Sequence, residues 1–538
     1  MYILKKAYSG EGEGKNFISG VFVLSLSTLI VKIIGLAFKI PMLSLLGMEG
    51  MGYFNSAYEI YAVLCVISTA GLPVALSILV SSARANNDVL SIKGVYRSAL
   101  KIFFAFGSLG MIFMFAFAKT LADGIGNGDA YYCIMAIAPA LLFICLASAI
   151  RGYCQGFENM RPTAISQLIE AVSKLVLGIV FAVIGIKKGF SVPQISALAV
   201  LGITIGTLLS FCYLFIAKRK FKISSKDVRD KNVRIGRGKA LLKIALPITL
   251  GSAVISLTRI LDMGFIMRRL QDIGVSQFKA NEIYGAYTTL ALPVFSLIPS
   301  LIAPISMALI PELTGFIERK NIAGQMRSVE KSLRLTSVLA MPASIGIILF
   351  SKPILSVLFR GQTEAIDIAS PLLSMLGASI LFSCLITTTN AILQAYRCVG
   401  MPIFSMSVGV AVKAFSSYFL LGSKGVGVLG APIGSLACNV TVVILNFALI
   451  IRYAKNTDGA IGAGKIFIKP FFASVISVGS AYALFLFLES RNVKEILAFG
   501  VSLIVALVLY CSLVILLGLM DKQDLKMLPL FGRLIKDK

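Results

Sequence analysis

The sequence predicts an all-α polytopic membrane protein of about fourteen transmembrane helices, arranged as two pseudo-symmetric six-helix lobes around a central cavity with two further C-terminal helices. Three observations predict it. Of 538 residues, 57% are hydrophobic and only 14% charged, too little polar surface for a soluble chain of this length. Apolar runs of roughly twenty residues, enough to cross a hydrocarbon core about 30 Å thick, recur evenly. The two halves also repeat the same residue types at corresponding places.

Hydropathy marks spans at about 17–41, 53–81, 96–119, 130–151, 164–186, 195–217, 242–267, 283–311, 333–358, 370–395, 402–421, 428–451, 466–487 and 495–518. With both termini assigned to the cytoplasm, the inner side gathers 35 of the 51 Lys and Arg and the outer side 11, the asymmetry that short loops obey. The net charge of +26 then reports topology and an affinity for anionic membrane lipids. Nucleic acid is not an expected partner, because no soluble basic face with base-stacking aromatics is present. Met1 to Asn16 lacks the short apolar core and cleavage site of a signal peptide, so the first span is expected to be an uncleaved anchor.

The link at 218–243 holds eleven cations and divides the chain near its middle. It separates an N-terminal lobe, 1–217, from a C-terminal lobe, 244–452, followed by a pair of helices and a cytoplasmic tail, 453–538. Ala57-Tyr58 with Gly71-Leu72-Pro73-Val74 recurs as Ala286-Tyr287 with Ala303-Pro304-Ile305, each followed by a basic loop. Gln155, Pro162 and Lys174 are echoed by Gln394, Pro402 and Lys413. Transporters use such repeats, with the substrate site between the halves near the midplane.

Catalytic chemistry has little to work with. Histidine is absent, and the nine cysteines are scattered through apolar runs without CxxC spacing, which suits small buried side chains better than a disulfide or metal framework. No catalytic residue, metal site or cofactor is expected beyond a coupling ion, H+ or Na+.

The charges inside the spans are the sharper signal, since an ion in hydrocarbon is costly and normally faces a cavity or a partner. Lys32, Arg259, Lys39, Lys413 and Lys174 are the candidate substrate-binding cations. Asp262, Glu170 and Glu59 are candidate coupling or structural charges. Glu170 and Lys174 are four apart, Arg259 and Asp262 three apart, so each pair shares a helix face; the structural alternative is that they neutralise each other. Lys39 has the simpler expectation of snorkelling to the membrane surface as an anchor. Lys32 is deeper, and Ser27-Thr28-Leu-Ile-Val-Lys32 parallels Ser256-Leu-Thr258-Arg259, which would set the two cations facing each other from the two lobes. A cationic cavity suits a phosphate or pyrophosphate headgroup.

Prolines at 73, 247, 293, 299, 304, 311 and 342 each remove a helical hydrogen bond. Pro73 and Pro304, at similar depth in the second helix of each half, are candidate hinges; static kinks are the alternative. Gly425, Gly427 and Gly430 satisfy GxGxxG, but no strand precedes them and a span follows, so they read as helix packing through small residues.

At this point the chain resembles the polysaccharide-transporter branch of the MOP (multidrug/oligosaccharidyl-lipid/polysaccharide) exporter superfamily, within it the group of stage V sporulation protein B and MurJ-type lipid II flippases. The residues that carry the resemblance are Lys32-Ile-Ile-Gly35, Lys39-Ile-Pro41, Leu46-Gly47-Met-Glu49-Gly50-Met-Gly52, Ser68-Thr-Ala-Gly71-Leu-Pro73-Val-Ala-Leu-Ser77, and Gln155-Gly156 before Arg161-Pro162-Thr163. It covers nearly the whole chain. It implies a proton- or potential-coupled flippase in a bacterial cytoplasmic membrane, moving undecaprenyl-pyrophosphate-linked sugars to the outer leaflet. Lys32 matches a first-helix cation of MurJ-type proteins, with lysine in place of arginine. Lys39 is one residue out of step with their second cation and fits the sporulation-protein pattern. Their second-helix arginine has no counterpart near Ser68 to Ser77.

The leading expectation is therefore a monomeric flippase for an anionic lipid-linked oligosaccharide. One rival is a cation-coupled multidrug exporter, whose cationic cargo would favour an acidic cavity. The other is a membrane glycosyltransferase or sugar polymerase, which would need a large external loop bearing carboxylates; the longest outer loop here, near Arg268 to Glu282, has about fifteen residues.

Overall fold

In a computed structural model of the chain the described residues are 11–85, 88–157, 159–219, 237–396, 398, 400–423, 425–453 and 464–519. Among them every regular element is helical. The all-α membrane class read from hydropathy is the one found. Most of the basic link, 220–236, and the tail from 520 lie outside the described residues.

The longest helix, α1 (Glu11–Thr69), contains 59 residues, about 88 Å at the α-helical rise and far more than one bilayer crossing needs. It breaks at Gly47, whose φ of 67° and ψ of −178° suit only a residue without Cβ. The first two expected spans are thus two helical segments hinged at one glycine. After Thr69 the chain bends and α2 (Leu72–Ala85) begins. Pro73 therefore sits in the first turn of a helix, where no intrahelical bond is lost. The structure corrects its reading as a kink within a span.

The first unit continues through α3 (Val89–Ala116), the short α4 (Ala118–Gly124), α5 (Tyr131–Gly156), α6 (Arg161–Lys187), α7 (Val192–Lys218), α8 (Arg237–Asp272) and α9 (Gln277–Ala286). A π-turn, Tyr287–Ala291, leads into α10 (Leu292–Glu318). Then follow α11 (Ile322–Leu358), α12 (Thr363–Ala395), α13 (Gly400–Leu421), α14 (Gly430–Tyr453), α15 (Lys469–Ser490) and α16 (Glu495–Leu516).

Twelve stretches among the described residues are long and apolar enough to cross a membrane, against the fourteen expected. The difference arises at two places. Ile30–Arg84 counts as one stretch despite the break at Gly47. The other is α8, a 36-residue helix over the span expected at 242–267, part of whose side chains lie outside the described residues.

The chain forms two compact units, Met1–Thr289 and Leu290–Lys538. In the first, α7 packs on both α5 and α6, and α8 packs on α1, α2 and α3. Small residues permit this closeness: a Cβ on Gly202 would stand 2.5 Å from the Gly178 nitrogen, bringing α7 and α6 together as small residues do in membrane bundles. In the second, α11 packs on α12, α12 on α14, α13 on α14, and α15 on α16 and α11. The α11 helix loses helical geometry at Phe350 (φ −101°, ψ 19°), three residues before Pro353, whose ring displaces the preceding turn. Phe350 there packs edge-on against Tyr482, Phe485 and Phe499 at 5.3 to 5.8 Å, fixing α15 and α16 to α11.

Candidate functional site

The motif Leu46 to Gly52 builds one end of the first unit. A Cβ on Gly52 would lie 2.1 Å from Asn281 Oδ1, and one on Gly285 2.2 Å from the Met48 carbonyl, so glycines let α1 and α9 touch backbone to backbone. Asn281 Nδ2 donates to the Glu49 carbonyl at 2.9 Å, and Asn127 Nδ2 donates to Asn281 Oδ1 at 2.8 Å and Ser56 Oγ at 3.1 Å. Buried amides linked in this way hold the helices in register.

On that frame a cluster of charges gathers within the first unit. Lys32, Lys39 and Glu59 stand on α1, Lys174 on α6, and Arg259 and Asp262 on α8. Arg259 Nη1 lies 3.7 Å from Glu59 Oε2. Glu59 also feels Lys39 and Asp262, Lys32 feels Arg259, Lys39 feels Lys174, and Lys174 feels Glu170, itself paired with Arg151 on α5, so the eight form one electrostatic neighbourhood. The formal charge is positive, five cations to three carboxylates. Lys32 and Arg259, expected to face each other from the two lobes, lie in one compact unit, where the charge of Arg259 acts on Lys32.

Two lysines are held by unexpected partners. Lys39 does not reach out to a surface; it is partly buried, and its Nζ donates to the Thr288 carbonyl at 2.5 Å. Lys174 Nζ sits over three rings, 4.7 Å from the centroid of Tyr58, 5.0 Å from Phe38 and 5.7 Å from Phe54, an aromatic box that stabilises a cation through the ring quadrupoles.

Beside the pairings expected from sequence spacing stand others that cross between helices. Glu170, whose charge acts on Lys174 four residues along, forms its 2.9 Å ion pair with another cation, Arg151, whose Nη2 on α5 donates to Glu170 Oε2. Arg151 also donates to Ser166 Oγ at 2.9 Å and Ser210 Oγ at 3.0 Å, tying α5, α6 and α7 together. Arg259 reaches across to Glu59 on α1, not only along its own helix to Asp262. Each interhelical pair ties a carboxylate on one helix to a guanidinium on another, which a contact along a single helix cannot do.

Of the remaining candidates, Lys413 is buried on α13 in the second unit, and Pro304 lies within α10. Sequence reasoning missed Arg151, the Thr288 carbonyl and the aromatic box. Arg151 had a signal, a cation at the end of a span one loop before Glu170. The box had none, because Phe38, Phe54 and Tyr58 look like ordinary apolar residues in sequence.

Among the described residues no group of three or more His, Cys, Asp or Glu is placed to hold a metal ion. The second unit contains an apolar cavity of about 690 Å3 lined by Ile298, Pro342, Phe350, Phe499, Tyr510 and neighbours.

Comparison with known proteins agrees with this architecture. The chain is 25% identical over 533 residues to stage V sporulation protein B of Bacillus subtilis (strain 168), covering 97% of this chain and 99% of that protein. It is 24% identical over 455 residues to the lipid II flippase MurJ of the same organism, covering 81% and 82%. The solved structure of lipid II flippase MurJ in an inward closed conformation superposes with a TM-score of 0.69 at 17% identity, covering 91% of this chain and 98% of that one; it shares the fold. The family model described as polysaccharide biosynthesis protein matches residues 17–316, a stretch that contains every motif from Lys32 to Thr163 and more than half of the chain, and the chain belongs to that family.

Proposed function

We propose that the protein is a flippase that moves an undecaprenyl-pyrophosphate-linked cell-wall precursor, lipid II or a related lipid-linked oligosaccharide, across the bacterial cytoplasmic membrane by alternating access. The covalent structure of the cargo is left unchanged. The observation that carries this reading is the contiguous cluster in which Lys32, Lys39, Lys174, Arg259 and Arg151 outnumber Glu59, Asp262 and Glu170. An anion drawn out of water keeps its stability only where charge-assisted hydrogen bonds replace its hydration, and here cations are in excess across four helices of one bundle. Arg259 is more than half exposed and is available to a ligand. The apolar cavity in the second unit suits an isoprenyl chain, and a family relative carries the name lipid II flippase. In this reading both termini are cytoplasmic, the transporter acts as a monomer, and H+, Na+ or the membrane potential drives it.

Proteoliposomes with labelled lipid II test the proposal. Wild-type protein should expose inner-leaflet lipid to an external probe, and Lys32→Ala with Arg259→Ala should abolish that exposure. Unchanged flipping in the double variant would overturn the site. Failure to rescue a strain depleted of its lipid II flippase would argue against the cargo.

A further inference from the structure

The contact between Lys39 and Thr288 points beyond substrate binding, because of where Thr288 lies. The π-turn Tyr287–Ala291 pairs each carbonyl with the N–H five residues ahead. For Thr288 that residue is Pro293, which has no N–H. The Thr288 carbonyl thus has no donor in the π register, and a carbonyl left short of partners in a low-dielectric interior is costly. Lys39 Nζ donates to it at 2.5 Å. A second bond from the same helix steadies the turn: Asn55 Nδ2 donates to Thr289 Oγ1 at 2.9 Å. The chain passes from one compact unit to the other at Thr289 and Leu290, inside this turn.

We propose that Lys39 is a load sensor: its ammonium is shared between the π-turn and the pyrophosphate of the cargo, so that binding the anion withdraws it from the Thr288 carbonyl and loosens the turn through which the chain enters the second unit. The inference rests on the proposed cargo. Lys32 and Lys39 are seven residues apart on α1 and share one face of that helix, so an anion drawn to Lys32 lies along the face that carries Lys39. A carbonyl dipole is a weaker partner for an ammonium than a phosphate oxygen is, and the exchange favours the anion. Linkage makes the effect reciprocal: whatever secures the turn without Lys39 must strengthen anion binding.

Amide hydrogen exchange over residues 284–296, in nanodiscs with and without undecaprenyl pyrophosphate, reads the turn, and radiolabelled ligand retention reads binding. In wild-type protein the ligand should speed exchange of this segment about tenfold, the order expected for losing a hydrogen bond to a charged donor. Lys39→Met should exchange fast without ligand and show no further change. Pro293→Ala restores an N–H to the turn; it should stay protected with or without ligand and bind the ligand more tightly than wild type. Ligand retained with wild-type exchange unchanged overturns the sensor and leaves the flippase reading standing. No retention by wild-type protein overturns both. Should Lys39→Met fail to fold, the wild-type and Pro293→Ala arms decide.

Discussion

Glu59 Oε2 and Arg259 Nη1 stand 3.7 Å apart and join α1 to α8, yet the partners share the contact unequally: the glutamate side chain is 16% exposed and the arginine 57%. Removing either partner therefore has different consequences. Arg259→Gln leaves a shielded carboxylate without its cation, whereas Glu59→Gln leaves a guanidinium that water still reaches. Fully buried pairs cost about 3–5 kcal/mol to break and exposed ones about 0–1. The expected losses here are about 1–2 kcal/mol for Arg259→Gln and less than about 0.5 kcal/mol for Glu59→Gln. Thermal unfolding in detergent measures the difference, and equal losses would refute this account of the pair.

The glycines of α1 separate close approach from mere helix content. A Cβ at Gly52 meets Asn281 side chain and backbone at 2.1 to 2.6 Å, while one at Gly35 has nothing within 4 Å. Gly52→Ala forces α9 away and disturbs the Asn281–Glu49 bond, for an expected loss of about 2–3 kcal/mol. Gly35→Ala gains helix propensity, up to about 1 kcal/mol. Opposite shifts in unfolding temperature are the expected result.

Much of the fold was legible because hydropathy and small residues act locally. Span positions follow from the length of apolar runs, and Gly47 and Gly52 belong to the motif read from the sequence. The break at Gly47 and the close approach at Gly52 are the physical reasons for glycine at those places. The charge pairs were less legible. Sequence spacing proposes Glu170 with Lys174 because they share a helix face, but which helix lies alongside is decided by packing, and packing set Arg151 opposite Glu170. The partner of Lys39 was invisible for the same reason: a backbone carbonyl left over by a π-turn and a proline has no side-chain signature 249 residues away.

Arg151 reaches three acceptors from one guanidinium, Glu170, Ser166 and Ser210, which a lysine ammonium on a single atom does not span. Arg151→Lys should cost about 1–2 kcal/mol. Arg151→Met should cost more, about 2–4 kcal/mol, because Glu170 then loses its ion-pair partner. Since this network ties helices together, flipping per folded molecule should stay near the wild-type rate in both variants. A selective loss of flipping with normal unfolding temperature would instead place Arg151 among the residues that contact cargo.

Lys174 allows stability and function to be pulled in opposite directions. Its ammonium is packed against Tyr58, Phe38 and Phe54, an environment that recovers part, but not all, of the hydration the cation gave up; single cation–π contacts contribute about 0.5–2 kcal/mol. A thioether of similar length fits the same box, makes favourable sulfur–aromatic contacts and carries no charge to desolvate. Lys174→Met is therefore expected to match or exceed wild type in unfolding temperature while weakening retention of undecaprenyl pyrophosphate about tenfold, the loss of one charge-assisted hydrogen bond. Lys174→Arg, which keeps the charge, should retain most of the binding. Were Lys174→Met instead to lower stability and leave binding untouched, the box would be a structural clamp and Lys174 would have no part in holding the anion.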